Sequence, residues 1–189
     1  MSTTGAALAS ESRDNIVAKF ARWAAASAAR QGCKVRGRKW YKHLDEVALD
    51  DLFAIPPPVS DGAFREWHER EVKKLAFRAS VEIGWAAKMI NMLLKVHVYI
   101  GHRGDSSLLA VIHPPIDNLL VKGIEREFSL KGQSADVNQE IRSLCKLGKT
   151  ISGIANYDQY SSLIEGLRLA SERRKCTLFE IERLWTGGV

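Results

Sequence analysis

Gly84-Trp-Ala-Ala-Lys-Met-Ile-Asn-Met-Leu-Leu-Lys-Val-His-Val-Tyr-Ile100 is the most apolar stretch of this chain, and its period decides the fold. Trp85, Met89, Met92, Leu93 and Val96 recur at helical spacing and predict a core-facing stripe. Lys88, Asn91 and Lys95 fall three and four apart, so they share a different strip of the same helix. Asn91, Lys95 and His97 interrupt the run, which is also too short to span a bilayer.

Outward from this helix the same period continues almost everywhere, with no stretch of strand alternation, and the chain reads as all-α. Ile16, Phe20 and Trp23 predict a first helix over roughly 12–29, preceded by an Ala/Ser/Thr-rich flexible tail over 1–11. A second helix is expected over about 44–53. Asp45 and Glu46 open it with charges that suit a helix N-terminus, and Pro56-Pro57-Pro58 stops it. Ser60 or Asp61 caps a third, with Phe64, Trp67 and Leu75 as its buried stripe. Residues 79–84 read as a hairpin leading into the apolar helix, and Gly101 and Gly104 bracket a loop beyond it. A short helix near 107–111 and further helices over 116–128, 134–147, 157–173 and 177–185 complete the chain. With no internal repeat or low-complexity segment, residues 12–189 form one helical domain with a helix-hairpin-helix-like element.

A length of 189 residues and a hydrophobic content of 46% suffice for one domain with a real core. The net charge of +6 and pI near 9.3 point to an anionic partner, nucleic acid ahead of a membrane surface. Cys33, Cys145 and Cys176 are isolated, so neither a zinc site, an iron–sulfur cluster nor a disulfide framework is implied. His68, His97, His102 and His113 form no metal motif either. The N-terminus lacks the basic start and apolar core of a secretion signal, and a cytoplasmic location is expected. No Gly-x-Ser-x-Gly pattern suggests a hydrolase triad.

Two motifs carry chemistry. Lys88 follows Gly84 within about one helical turn, among Ala86, Ala87 and Met89, whose apolar character helps lower a lysine pKa. A lysine amine acts as a nucleophile only when neutral, and so needs such a setting and a nearby carboxylate. Taken alone, Lys88 reads better as a lysine snorkelling from an amphipathic helix. His113-Pro-Pro-Ile-Asp117 places an aspartate at the mouth of the next helix. An aspartate there caps the helix and is held ionised by it, the state needed to take a proton and to stabilise a developing positive charge. The hairpin before Gly84 offers backbone N–H groups suited to a phosphate. Arg30, Lys34, Arg36, Arg38, Lys39 and Lys42 are interleaved with Trp40 and Tyr41 and free of acids. That segment suits a grip on a nucleic-acid backbone, or a solvated linker.

These motifs resemble those of the helix-hairpin-helix superfamily of DNA glycosylases, which carry a Gly-x-Gly-x-Lys-type hairpin and a Pro-x-Asp loop. Here they stand as Gly84-Trp-Ala-Ala-Lys88 and Pro115-Ile-Asp117, and the likeness covers roughly residues 60–130. Ala86 replaces the second glycine, and neither a Leu-Pro-Gly-x-Gly signature nor cluster cysteines are present. The separation of 29 positions between Lys88 and Asp117 is similar to that in the archaeal 8-oxoguanine glycosylases. The chain also resembles small bacterial glycosylases proposed to defend against phages by removing glucosylated hydroxymethylcytosine. The resemblance implies a monomeric enzyme acting on double-stranded DNA with a modified base. Asp117 and Lys88 would be catalytic, and no metal or organic cofactor would be needed.

The expected grip on DNA involves Gly84, Arg36, Arg38, Lys39 and Lys95. A flipped base needs aromatic or apolar walls, for which Trp40, Tyr41, Trp67, Trp85 and His113 are the candidates. The alternatives are a non-catalytic helical DNA-binding module, an 8-oxoguanine-type repair glycosylase/lyase, and a helical partner-binding protein with an exposed apolar groove. An enzyme requires Lys88 and Asp117 to converge on a pocket, whereas a binding module does not.

Overall fold

A computed structural model of the chain describes residues 3–29, 32–128, 139–141, 143 and 150–185, with side chains from residue 13 onward. Every regular element among them is helical. The order is α1 (Thr3–Ala28), a 3-10 turn (Gly37–Trp40), α2 (Tyr41–Leu44), α3 (Leu49–Phe53), α4 (Asp61–Ala79) and α5 (Ile83–Leu94). A π turn (Lys95–Ile100), α6 (Leu108–Val111), α7 (Asn118–Glu127), a 3-10 turn (Ile151–Gly153), α8 (Tyr157–Arg174) and a last 3-10 turn (Phe179–Leu184) follow. The helix expected over 134–147, with Cys145 in it, lies for the most part outside the described residues, as does Arg30. No helix among the described residues is long and apolar enough to cross a membrane.

The apolar stretch forms the central helix, α5, which α1, α4 and α8 all contact. Ala86, Ala87, Met89, Ile90 and Leu94 on it are fully buried. α4 begins as its sequence predicts: the Ser60 hydroxyl accepts from the Ala63 N–H, and Phe64, Trp67 and Leu75 are buried. It ends at Ser80 in the left-handed conformation, φ +51°, with the N–H groups of Ser80 and Val81 turned back onto the Phe77 and Ala76 carbonyls. Gly84 lies where the Ile151 carbonyl crosses α5, and any side chain there would collide with that backbone. The last turn of the apolar stretch is wider than α: the Gly101 N–H reaches the Val96 carbonyl, five residues back.

Two expectations are corrected. α1 starts at Thr3 rather than near residue 12, in a stretch whose alanines favour helix. Its buried face is Ala21, Ala25, Ala26 and Ala29, while Ile16, Phe20 and Trp23 are about half exposed or more. The small face lets α1 lie close against α5 and the π turn, a spacing that the larger residues would not permit. The helix expected over 44–53 is broken at 45–48, while helical turns already begin at Gly37. Tertiary bonds hold that break: Arg22 pairs with Asp45, the Trp67 indole donates to the Ala48 carbonyl, and buried Glu71 accepts from the Ala48 N–H.

Candidate active site

Asp117 is in extended backbone immediately before α7, and its Oδ1 accepts from the N–H groups of Leu119 (2.9 Å) and Leu120 (3.0 Å). That oxygen is committed to capping the helix, as the sequence predicts. The other, Oδ2, accepts from the indole N–H of Trp185 at 3.0 Å and faces Lys88 Nζ at 3.7 Å. The Lys88–Asp117 separation is an ion pair longer than a direct hydrogen bond. Both side chains are largely shielded, 11% and 23% exposed, so their attraction is less screened than on an open surface. The Trp85 ring lies 5.9 Å from Lys88 Nζ and supplies an apolar and π-rich floor.

The pair opens on a cavity of about 330 Å³, within the range of small-ligand sites. Ala28, Met92, Pro115 and Leu119 form its apolar wall; Lys95, Glu182 and Trp185 close the far side. A second cavity of about 290 Å³ adjoins it, with Tyr99, Phe179, Glu180 and Arg183 added to those same three residues. Lys95 Nζ donates to both oxygens of Glu182, at 2.7 and 2.8 Å, so this ion pair and the Trp185 ring divide one groove into two chambers. Gly123 explains how the C-terminal turn reaches the site. It has no side chain where the Leu184 carbonyl meets α7, and Trp185 follows directly.

Behind the site lies a buried polar network. The Asn91 amide nitrogen donates to the Pro114 carbonyl (2.9 Å) and to the Tyr160 hydroxyl (3.0 Å). A carbonyl only accepts, so Pro114 fixes which way the amide points, and Asn91 Oδ1 must then accept from His68 Nε2 at 2.9 Å. Burial lowers His68 to about 4, so the ring is neutral and its Nδ1 accepts from the Tyr157 hydroxyl at 2.9 Å. The Tyr160 hydroxyl in turn donates to His113 Nδ1 at 2.9 Å. Burial, with His68 and two arginines nearby, holds His113 well below its ordinary value. Every proton from Tyr157 through His68 to Asn91 thus has one assignment.

The structure brings Lys88, Lys95 and Asp117 together and separates most of the other expected site residues from them. Gly84 is buried and its N–H donates to the Ile154 carbonyl. The N–H groups of Trp85 and Ala86 go to the Glu82 carbonyl. The hairpin therefore does not offer the open row of donors expected for a phosphate. Lys95 lines the cavity with its charge answered by Glu182. Trp40 and Trp67 are core residues whose indoles donate to the carbonyls of Val35 and Ala48. Trp85 is 5% exposed, and Tyr41 lies beneath the Arg22 guanidinium. His113 belongs to the buried network. None of Trp40, Tyr41, Trp67, Trp85 and His113 lines the cavity beside Lys88.

Arg36, Arg38 and Lys39 are exposed, and none of them lines that cavity. Arg38 and Lys39 join Lys34, Lys42 and His43 around an open depression of about 590 Å³ that no carboxylate lines. Burial first, and then the adjacent Lys42, lower His43. The residues that sequence reasoning missed are Trp185, Glu182, Leu119 and, as a cavity wall, Met92. Met92 follows Lys88 by four positions and precedes Lys95 by three, so the helical strip was readable, but its third member is Met92 in place of Asn91. Compared with protein-family models, curated proteins and solved structures, the chain matches none.

Proposed function

We propose that the protein is a DNA glycosylase, which takes a modified nucleotide out of duplex DNA and breaks its N-glycosidic bond between Lys88 and Asp117. The observation that carries this reading is the approach of Lys88 Nζ to Asp117 Oδ2 at the wall of a cavity of ligand size. With Oδ1 bound by the helix amides, Oδ2 is the oxygen left to do chemistry. In the amine route Lys88 passes a proton to Oδ2, directly or through one water, and the neutral amine attacks C1′ of the flipped sugar. The C1′–N bond breaks and its electron pair leaves with the base, which takes up the proton and restores the carboxylate. The C1′–O4′ bond then breaks as one proton of the lysine nitrogen passes to O4′, which opens the ring and leaves a protonated Schiff base to Lys88. In the water route Oδ2 takes the proton from water instead, and hydroxide completes the bond to C1′. Both routes develop positive charge on the sugar beside a fixed carboxylate.

The base lies in the first chamber, against Met92, Leu119 and the exposed face of Trp185. The second chamber supports a base that carries a projecting polar substituent. Tyr99 and Trp185 give it flat faces there, and Lys95 and Glu182 give hydrogen-bonding groups for hydroxyls. Glucosylated hydroxymethylcytosine, the substrate class of the antiphage glycosylases that the motifs resemble, fits two chambers better than 8-oxoguanine does. The depression around Lys34, Arg38, Lys39 and Lys42 holds the phosphate backbone. By itself it equally favours the second reading, a DNA-binding module without catalysis.

Duplex oligonucleotides, each with one glucosylated hydroxymethylcytosine, hydroxymethylcytosine, 8-oxoguanine or uracil, test both readings when released base is measured by mass spectrometry. Release from the glucosylated duplex is expected. Binding of every duplex with release from none would leave the non-catalytic module.

A further inference from the structure

We infer that Asn91 is a positioning residue, which sets the loop carrying Asp117 in register with the helix carrying Lys88. Asn91 lies three residues after Lys88 on α5, and Pro114 lies three residues before Asp117. A single hydrogen bond, from the Asn91 amide to the Pro114 carbonyl, therefore ties the two elements that hold the reacting groups.

Packing buries the loop, but its own backbone does little to set its register. Pro114 and Pro115 have no N–H, and no backbone–backbone hydrogen bond described for the chain involves residues 113–116. Yet Ile112, His113 and Ile116 are buried, so an unmade bond at the Pro114 carbonyl would be costly. The Asn91 side chain is itself fully buried and held from two further directions, by His68 of α4 and Tyr160 of α8. Tyr160 also bonds His113, which grips the loop a second time. Asn91 is thus the point where three helices agree on the position of one loop. A leucine of similar size would fill the space and satisfy none of them.

The rate arm of the test rests on the glycosylase reading; the structural arm does not. The indole N–H of Trp185 donates to Asp117 Oδ2, so its ¹⁵N–¹H resonance reports where that carboxylate stands. Trp185→Phe identifies the resonance among those of the five tryptophans. Asn91→Leu should move or broaden it while the Trp40 indole signal, bonded to the Val35 carbonyl, stays in place. Single-turnover base release should slow by roughly tenfold to a hundredfold, the cost of a misplaced reacting group, while DNA affinity is retained. Tyr160→Phe removes one hydroxyl and keeps the Pro114 bond, so a smaller change in the same direction is expected. It carries the test if Asn91→Leu does not fold.

An unshifted Trp185 resonance in a folded Asn91→Leu or, failing that, in Tyr160→Phe would overturn the inference, whatever the protein's activity. Base release by the wild type that Asn91→Leu leaves equally fast would do so too. A wild type that releases no base removes the glycosylase reading and leaves the resonance to decide on Asn91.

Discussion

Asp117 turns one oxygen to the cap of α7 and the other to Lys88 and Trp185, and substitutions separate the cap from the proposed chemistry. Asparagine caps a helix about as well as aspartate, so Asp117→Asn should melt as the wild type does, whereas Asp117→Ala should lose about 1 kcal/mol. Both should lose base release by roughly a hundredfold or more, because neither offers a carboxylate to the cationic sugar. Asp117→Asn that still releases base at full rate would reduce Asp117 to a cap. Lys88→Ala should abolish the species trapped by borohydride, if the amine is the nucleophile, and leave any water-driven release. Trp185→Phe keeps a ring in the groove and loses the donor to Oδ2, so turnover should fall with KM held; Trp185→Ala should raise KM as well. Lys88 and Asp117 were legible because each stands next to local signals, an apolar helical run and a proline pair. Trp185 was not. Its partner lies 68 positions away, and nothing in the residues around it announces a contact with Asp117.

The elements that sequence locates well are those whose ends are chemical. Ser60 opens α4 and Asp117 opens α7 through side-chain bonds to their first turns, and both starts agree with expectation. Faces and breaks were less legible, because packing decides them. Ile16, Phe20 and Trp23 mark α1 as a helix but do not mark its buried side, which is made of alanines that fit close to α5. The break at 45–48 is held by Arg22, Trp67 and Glu71, none of them within its own sequence neighbourhood. The approach of the C-terminal turn to α7 is decided by one residue, Gly123. Gly123→Ala sets a methyl against the Leu184 backbone carbonyl, which cannot rotate away as a side chain would. About 1–3 kcal/mol of stability should be lost in thermal melts. Base release should fall further than stability alone explains, because Glu182 and Trp185 move with that turn. Gly62→Ala, in the first turn of α4 with nothing within 4 Å of the added methyl, is the control and should be neutral or slightly stabilising. Equal losses from the two glycines would mean that the contact at Gly123 does not place the site.

At the scale of the whole molecule, buried histidines and surface cations act in opposite directions with pH and salt. Burial lowers His68 and His97 to about 4 and His113 well below its ordinary value, so all three are neutral in the folded protein at pH 7. The unfolded chain binds protons at these sites near pH 6.5, whereas the folded protein resists until about 4. Stability is therefore full above pH 6.5 and should fall steadily between 6.5 and 4 in melts; a flat profile across that window would show the rings are not buried as neutral groups. On the proposed DNA-binding reading, the excess charge of +6 gives a general attraction to a polyanion, and the depression concentrates it, with Lys34, Arg38, Lys39 and Lys42 around one opening and no carboxylate in its lining. Each phosphate contact there releases a counterion and adds about 0.9 to the slope of log affinity against log salt. Lys39→Gln with Lys42→Gln should therefore flatten that slope by about 2 in duplex binding measured from low to physiological salt. The loss should be equal for modified and unmodified duplexes, since phosphate contacts position the helix and carry no information about the base. A loss confined to the modified duplex would instead put these lysines against the base, although neither lines the Lys88–Asp117 cavity. An unchanged slope would mean that the depression meets no phosphate, and the grip on DNA would have to come from another face of the molecule.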